Sequence, residues 1–239
     1  MTGQSQSTGV LALPEDILIP IFGNFCHGRE NDKNPECNAH RDLILATHIC
    51  QYWRCVAINT ASLWNRVKAT LNSYKHVGAF LVRSKNLPLS ITLYVVDRPA
   101  EVMSPPPADL STTLDLISEN WVRVVSLSLF MRLSHNGDIL SMIRKWLGQF
   151  DLDRNDPAPL RTLRIDGWTD FKSKKESFPM PELIYQSLGC LKLLNITDST
   201  MPTQLALPKG LTKLSLDAVY IASSDPKLDE LLRALPDLE

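Results

Sequence analysis

Hydrophobic and polar positions fall into two regimes along this chain. In the first, apolar residues recur at helical spacing: Ile17, Leu18, Ile21, Phe22 and Phe25 form one stripe. Pro14 suits the first turn of a helix, and Glu15 and Asp16 suit the positive end of its dipole. Pro20 lies deeper, where a proline costs about 3 kcal/mol. The pattern therefore predicts a helix that either bends at Pro20 or has a separate first turn. Residues 27–41, polar and containing Gly28, Asn34 and Pro35, read as an exposed loop. Asp42 can cap the next helix, in which Ala46, Ile49, Cys50, Trp53 and Ala57 keep a 3.6-residue spacing. Thr60-Ala61-Ser62 interrupts that spacing and Leu63-Trp64 closes the unit; a third helix over 73–84 carries Tyr74, Val77 and Leu81 on one face. On periodicity alone this is a three-helix bundle with Trp53 and Trp64 in its core.

Beyond Val96 the pattern changes. Residues 98–107, with Ser104-Pro105-Pro106-Pro107, are expected to form an extended loop. Leu110, Leu114 and Ile117 predict a helix. A spaced motif then recurs: Val124-x-x-Leu127-x-Leu129, Leu160-x-x-Leu163-x-Ile165, Leu191-x-x-Leu194-x-Ile196 and Leu211-x-x-Leu214-x-Leu216, at steps of 36, 31 and 20 residues. Helical patterns lie between and after these runs: Ile139, Leu140, Ile143, Trp146 and Leu147; Leu183, Ile184 and Leu188; and Leu228, Leu231, Leu232 and Leu235. Short strands alternating with helices at such steps are similar to leucine-rich repeats, in which stacked units bury what no unit buries alone. The period is irregular and the asparagine usual after that motif is missing, so an ordinary α/β domain with parallel strands is the alternative. Leu235-Pro236-Asp237-Leu238-Glu239 looks like the start of a further unit, which predicts a truncated array.

Alternate residues of a strand point to opposite faces. Leu127 and Leu129, Leu163 and Ile165, Leu194 and Ile196, and Leu214 and Leu216 are expected to point inward. Ser128, Arg164, Asp166, Asn195, Thr197, Ser215 and Asp217 then line the outward face. Together with the stretch 166–175, which holds Trp168 and Phe171 among charges, they are the candidate substrate-binding residues. A merely solvated sheet face is the competing reading.

Composition narrows the function. The 25 basic and 26 acidic residues leave no basic excess for neutralising phosphates, against a nucleic-acid partner. No apolar run approaches the roughly 20 residues of a spanning helix, against a membrane role. Residues 1–12 are small and polar, lack the regions of a secretory signal, and are expected to be disordered. Five cysteines, an odd number, are expected as reduced thiols in cytosol or nucleus. Cys26, His27, Cys37 and His40 have a zinc-like composition, but only Cys37-x-x-His40 has pair spacing, so no metal is expected. No nucleophile elbow, phosphate loop or metalloprotease motif occurs, and His48, His76 and His135 have no evident nucleophile beside them. Neither catalytic residues nor a cofactor are expected. Trp121 and Trp146 read as core or interface fillers.

The ordered set Leu13-Pro14, Ile17-Leu18, Ile21-Phe22, Ile49-Cys50, Trp53-Arg54, Ala57-Ile58-Asn59-Thr60 and Leu63-Trp64 resembles the F-box-like domain common in fungal proteins. The stretch from Phe80 to Leu93 also resembles the segment that follows that domain. The chain departs from the family pattern at Pro20, at Tyr52 and in its longer helix connection. With the patterns above, this gives an α+β protein in four parts: a tail (1–12), the F-box-like helical domain (13–65), connecting helices and a proline-rich loop (66–120), and a leucine-rich-repeat-like region (121–239). The resemblance further implies docking on a Skp-type adaptor and, through it, a cullin of a ubiquitin ligase, while the repeats recruit an unknown protein substrate. Leu13, Pro14, Ile17, Leu18, Ile21 and Phe22 would be the docking anchors, supported by Cys50 and Trp53. A scaffold that binds no adaptor is the alternative.

Overall fold

A computed structural model describes residues 13–26, 39–70, 74–96, 108–133, 137–148, 160–169, 190–197, 200–201, 210–217 and 220–221. The expected tail 1–12, the loop 27–38, the proline-rich loop, His135, Phe171 and the helical patterns around Leu183 and Leu228 lie outside these residues.

The fold is mixed helix and strand, a helical N-terminal unit followed by a parallel sheet of six strands. The first helix, α1 (Glu15–Cys26), runs through Pro20 without a break in assignment. The Pro14 carbonyl opens it by accepting from the amides of Ile17 and Leu18 at 3.1 and 3.0 Å. Pro20 cannot bond back to the Asp16 carbonyl, but both residues are exposed, so water can hydrate that carbonyl. The inward face of α1 is Leu18, Phe22 and Cys26, spaced by four and fully or nearly buried.

The single second helix expected from Ala46 to Ala57 is instead two. Helix α2 (Ala39–Ala46) ends in a turn over Thr47–Ile49, and α3 (Gln51–Asn59) starts afresh. The cause is local: the Cys50 backbone is extended, and its Sγ accepts from the Trp53 amide at 3.5 Å, occupying an N-cap. Asp42 therefore sits in the first turn of α2 rather than capping a longer helix. Trp53, Val56 and Ala57 of α3 face inward, with the Trp53 ring edge-on to Phe22 at 5.4 Å between centroids.

A 3-10 turn (Ala61–Leu63) leads into β1 (Arg66–Thr70), followed by α4 (Tyr74–Arg83), β2 (Leu89–Val96), α5 (Ala108–Glu119), β3 (Val124–Leu133), α6 (Gly137–Gly148), β4 (Thr162–Thr169) and β5 (Leu193–Thr197). Then come β6 (Thr200–Met201), β7 (Lys213–Asp217) and β8 (Tyr220–Ile221). The main sheet has the order β1-β2-β3-β4-β5-β7, all parallel and in chain order, with β6 and β8 set aside as a separate parallel pair. The segment 66–120, expected as connection only, thus supplies two of the six strands.

The repeating motif is carried directly into the sheet. Leu127 pairs with Leu163, Leu163 with Leu194, and Leu194 with Leu214. The leading residues Val124, Leu160, Leu191 and Leu211 are all buried. Just after each, the backbone repeats one bonding pattern. The Arg161 amide donates to the Val125 carbonyl, Lys192 and Leu193 amides to Arg161, and Thr212 and Lys213 amides to Lys192, all at 2.8–2.9 Å. Trp64-x-x-Val67-x-Ala69 repeats the spacing at β1, two strands before β3, with Trp64, Val67 and Ala69 buried. In β3, Val125 is a bulge residue: Leu89 pairs with Val124, but Ser90 pairs with Ser126.

Inward residues of the strands pack with Val77, Phe80 and Leu81 of α4, Leu110, Leu114 and Ile117 of α5, and Ile139, Ile143, Trp146 and Leu147 of α6 in one core. The helices are linked side by side. Trp146 Nε1 donates to the Leu114 carbonyl at 3.1 Å and to Ser118 Oγ at 2.8 Å, and its ring meets Trp121 edge-on. Trp146 is therefore core, while Trp121 packs at the half-buried margin. The inward Leu214 and Leu216 of β7 are only half-buried, unlike their counterparts in β3, β4 and β5.

Candidate docking surfaces

Two surfaces carry residues that the core does not use. The first belongs to the helical unit. Ile17 of α1, Leu45 of α2, Ile49 of the following turn and Tyr52 of α3 are 48%, 52%, 52% and 42% exposed. Pro14 is exposed as well, and Leu13 and Ile21 are half-buried. Of the eight expected docking residues, Leu18, Phe22 and Trp53 are interior, and Cys50 is half-buried as the cap of α3. They hold the unit together and offer little surface to a partner. Pro14 and Ile17 are exposed, while Leu13 and Ile21, half-buried like Cys50, also pack against the core. Among the described residues, Trp53 Nε1 is buried with no hydrogen-bond partner.

The unit is fastened to the sheet through polar and aromatic contacts. Cys26 Sγ donates to the carbonyls of Phe22 and Leu63, at 3.3 and 3.4 Å. Burial pushes the Cys26 thiol up to about 11, against the opposing charges of Arg66 and Lys68. It is thus a protonated structural thiol rather than a reactive thiolate. Trp64 is wholly buried; its Nε1 donates to the Ala57 carbonyl at 2.7 Å, its ring meets Phe80 edge-on at 4.8 Å, and the Arg83 guanidinium lies 4.4 Å from the ring centroid. Further along, Arg123 joins two units. Its guanidinium donates to the Leu87 carbonyl, to Ser84 Oγ at 2.7 Å and to Asn120 Oδ1 at 3.1 Å. Burial lowers its pKa from the usual arginine value.

The second surface is the outward face of the sheet. Strand alternation and register arrange it as rows. One row runs Lys68, Thr92, Ser128, Arg164, Asn195, Ser215; the next runs Thr70, Tyr94, Phe130, Asp166, Thr197, Asp217. All of these residues are half-buried or exposed. The expected substrate-facing residues Ser128, Arg164, Asp166, Asn195, Thr197, Ser215 and Asp217 therefore share this one face. Trp168 stands opposite Arg132 in the register, and the rest of the expected loop beyond Thr169 lies outside the described residues. Two residues missed from sequence are Tyr94 and Phe130, whose rings stack at 5.0 Å with a 15° interplanar angle. Their parity with Thr92 and Ser128 is the signal that identifies them. The Arg164 guanidinium lies 5.0 Å from the Phe130 centroid, with Nη2 3.9 Å from Asp166 Oδ2.

Among the described residues no cluster of three or more His, Cys, Asp or Glu could hold a metal ion, and no helix is long and apolar enough to cross a membrane. Of the zinc-like set, Cys26 is buried and bonded as above, and His27 and Cys37 lie outside the described residues. Comparison with protein-family models, with curated proteins and with solved structures finds no match.

Proposed function

We propose that the chain is a non-catalytic recruiter: the helical unit is an F-box-like module that docks on a Skp-type adaptor of a cullin-based ubiquitin ligase, and the sheet is a leucine-rich-repeat-like solenoid that holds a protein substrate. The observation that supports docking most is the division of α1, whose Leu18, Phe22 and Cys26 are spent on the core while Ile17, and Pro14 just before the helix, stand outside. Exposed apolar side chains on a helix whose other face is fully buried are a natural anchor for helix-on-helix packing. Ile17, with Leu13, Pro14 and Ile21, would carry the contact; Leu18, Phe22, Cys50 and Trp53 would position that helix from behind. The sequential parallel strands with a recurring entry pattern support the repeat reading. Ligase chemistry would belong to the partner subunits.

A second reading is a scaffold in which the helical unit caps the sheet and binds no adaptor. It is favoured by the continuity of the core from Phe22 through Trp64 and Phe80 into the sheet. Capture of purified Skp-type adaptor by the full chain separates the two. The recruiter reading expects retention, lost on Ile17→Asp with folding intact. The absence of retention by the unaltered chain would leave the scaffold.

A further inference from the structure

The two ends of the main sheet differ. At one end Val67 and Ala69, the inward residues of β1, are buried. At the other, β7 pairs with β5 on one side, and among the described residues no strand pairs with it on the other. Each of its five residues is more open than the residue beside it in β5: Lys213 than Leu193, Leu214 than Leu194, Ser215 than Asn195, Leu216 than Ile196, and Asp217 than Thr197. Leu214 and Leu216 pack against the core and yet stay half-buried.

The hydrogen-bonding sense of this edge is fixed by the β5 side. The Lys213 amide donates to the Lys192 carbonyl at 2.9 Å, so Lys213 and, by strand alternation, Ser215 and Asp217 direct their backbone groups at β5. Leu214 and Leu216 direct theirs away from it, and a further strand on this side would bond to those two residues. The sequence of β7, Lys213-Leu214-Ser215-Leu216-Asp217, is complementary to itself when reversed. With Ser215 set opposite Ser215 of a second copy, Leu214 meets the second copy's Leu216, and Lys213 meets its Asp217. The leucine pairs are then the hydrogen-bonded ones, and the charged pairs fall at non-hydrogen-bonded positions, where side chains approach more closely. Sliding one strand by two residues keeps the bonding pattern but sets Lys213 or Asp217 opposite Ser215, which loses both charge pairs.

We propose that β7 is a self-docking edge: two copies of the chain pair β7 to β7, antiparallel, about a two-fold axis at Ser215, and join their sheets. The axis stands perpendicular to the sheet, so the inward faces of both copies lie on one side and Leu214 and Leu216 of each cover those of the other. Such a contact is isologous and closes at two copies. It is independent of adaptor docking and of what the outward face holds.

Sedimentation velocity on the full chain, over about a hundredfold range of concentration, tests this. The chain should pass from monomer to dimer. Lys213→Glu and Asp217→Lys each set like charges opposite one another at both ends of the seam, and each should weaken the dimer about tenfold. Mixed in equal amounts, the two variants should dimerise again, because each supplies the charges that the other lacks; variants that had failed to fold would not recover. Leu216→Pro removes an outward amide that β5 does not use, and should abolish the dimer with unchanged circular dichroism. A monomer at every concentration would overturn the proposal and leave the edge to residues 222–239 of the same chain or to another protein. Assembly beyond two copies, a dimer indifferent to both charge reversals, or a mixture no tighter than its components would overturn it as well.

Discussion

The sheet and the helices before it use apolar residues in different ways. Among the described side chains of β2 through β5 the inward apolar positions are buried, and the outward positions are mostly Ser, Thr, Asn and charged residues around one aromatic pair. In the helical unit, apolar residues lie on both sides: Leu18, Phe22, Leu43 and Trp53 inside, Ile17, Leu45, Ile49 and Tyr52 outside. A strand with period two has no room for such a surplus without exposing a whole row. A helix of twelve residues can bury one stripe and keep another in reserve. The contrast separates residues that the fold requires from residues that it leaves at the surface.

Substitutions break or sharpen that contrast. The largest effect should come from the sheet interior: Leu129→Ala, at a wholly buried position between β2 and β4, should cost about 3 kcal/mol in urea unfolding. Trp64→Phe comes next. It removes the donor to the buried Ala57 carbonyl and much of the Arg83 contact, and should cost about 2 kcal/mol. Arg123→Met should lose about 1–2 kcal/mol, because the Leu87 carbonyl and Ser84 lose their shared partner. Ile17→Ala should change stability by less than about 0.5 kcal/mol. If Ile17→Ala destabilised the protein as much as Leu129→Ala, the division into core and reserve stripe would be wrong.

Cys26 gives a pH test of how firmly the helical unit is attached. Its thiol ionises at about 11 in the folded chain and near 9.0 when unfolded. Between those values the unfolded state releases its proton and the folded state keeps it, so stability should fall as pH rises from 9 to 11. Cys26→Ala should flatten that fall. In native protein, a thiol reagent should modify exposed Cys55 and spare Cys26 until unfolding.

Sequence reading reached β3, β4, β5 and β7 because leucines recur at fixed offsets, and the register pairs those same leucines. It missed β1 because Val67 and Ala69 are small and Trp64 had been absorbed into the helical motif. Strand β2 escaped because Leu89-x-Ile91-x-Leu93 lacks the leading spacing, a difference taken up by the bulge at Val125. The break between α2 and α3 was invisible because the apolar spacing continues across it; cysteine at the cap gave no warning. On the outward face, parity alone located the polar residues. Tyr94 and Phe130 were hidden because Leu-Tyr-Val-Val and Leu-Phe-Met look like core. For docking, the family resemblance named a helix but not its sides, and burial moves Leu18 and Phe22 from contact to the supporting place already expected of Trp53.

The claim that an apolar stripe is held in reserve for an adaptor is tested most directly by calorimetric titration of purified Skp-type adaptor into the full chain and into Ile17→Asp, with thermal melts of both. The account predicts binding by the unaltered chain, a loss of about 2 kcal/mol or more in Ile17→Asp, and matching melting temperatures. No heat of binding from a folded, unaltered chain would contradict it, as would equal binding by the variant.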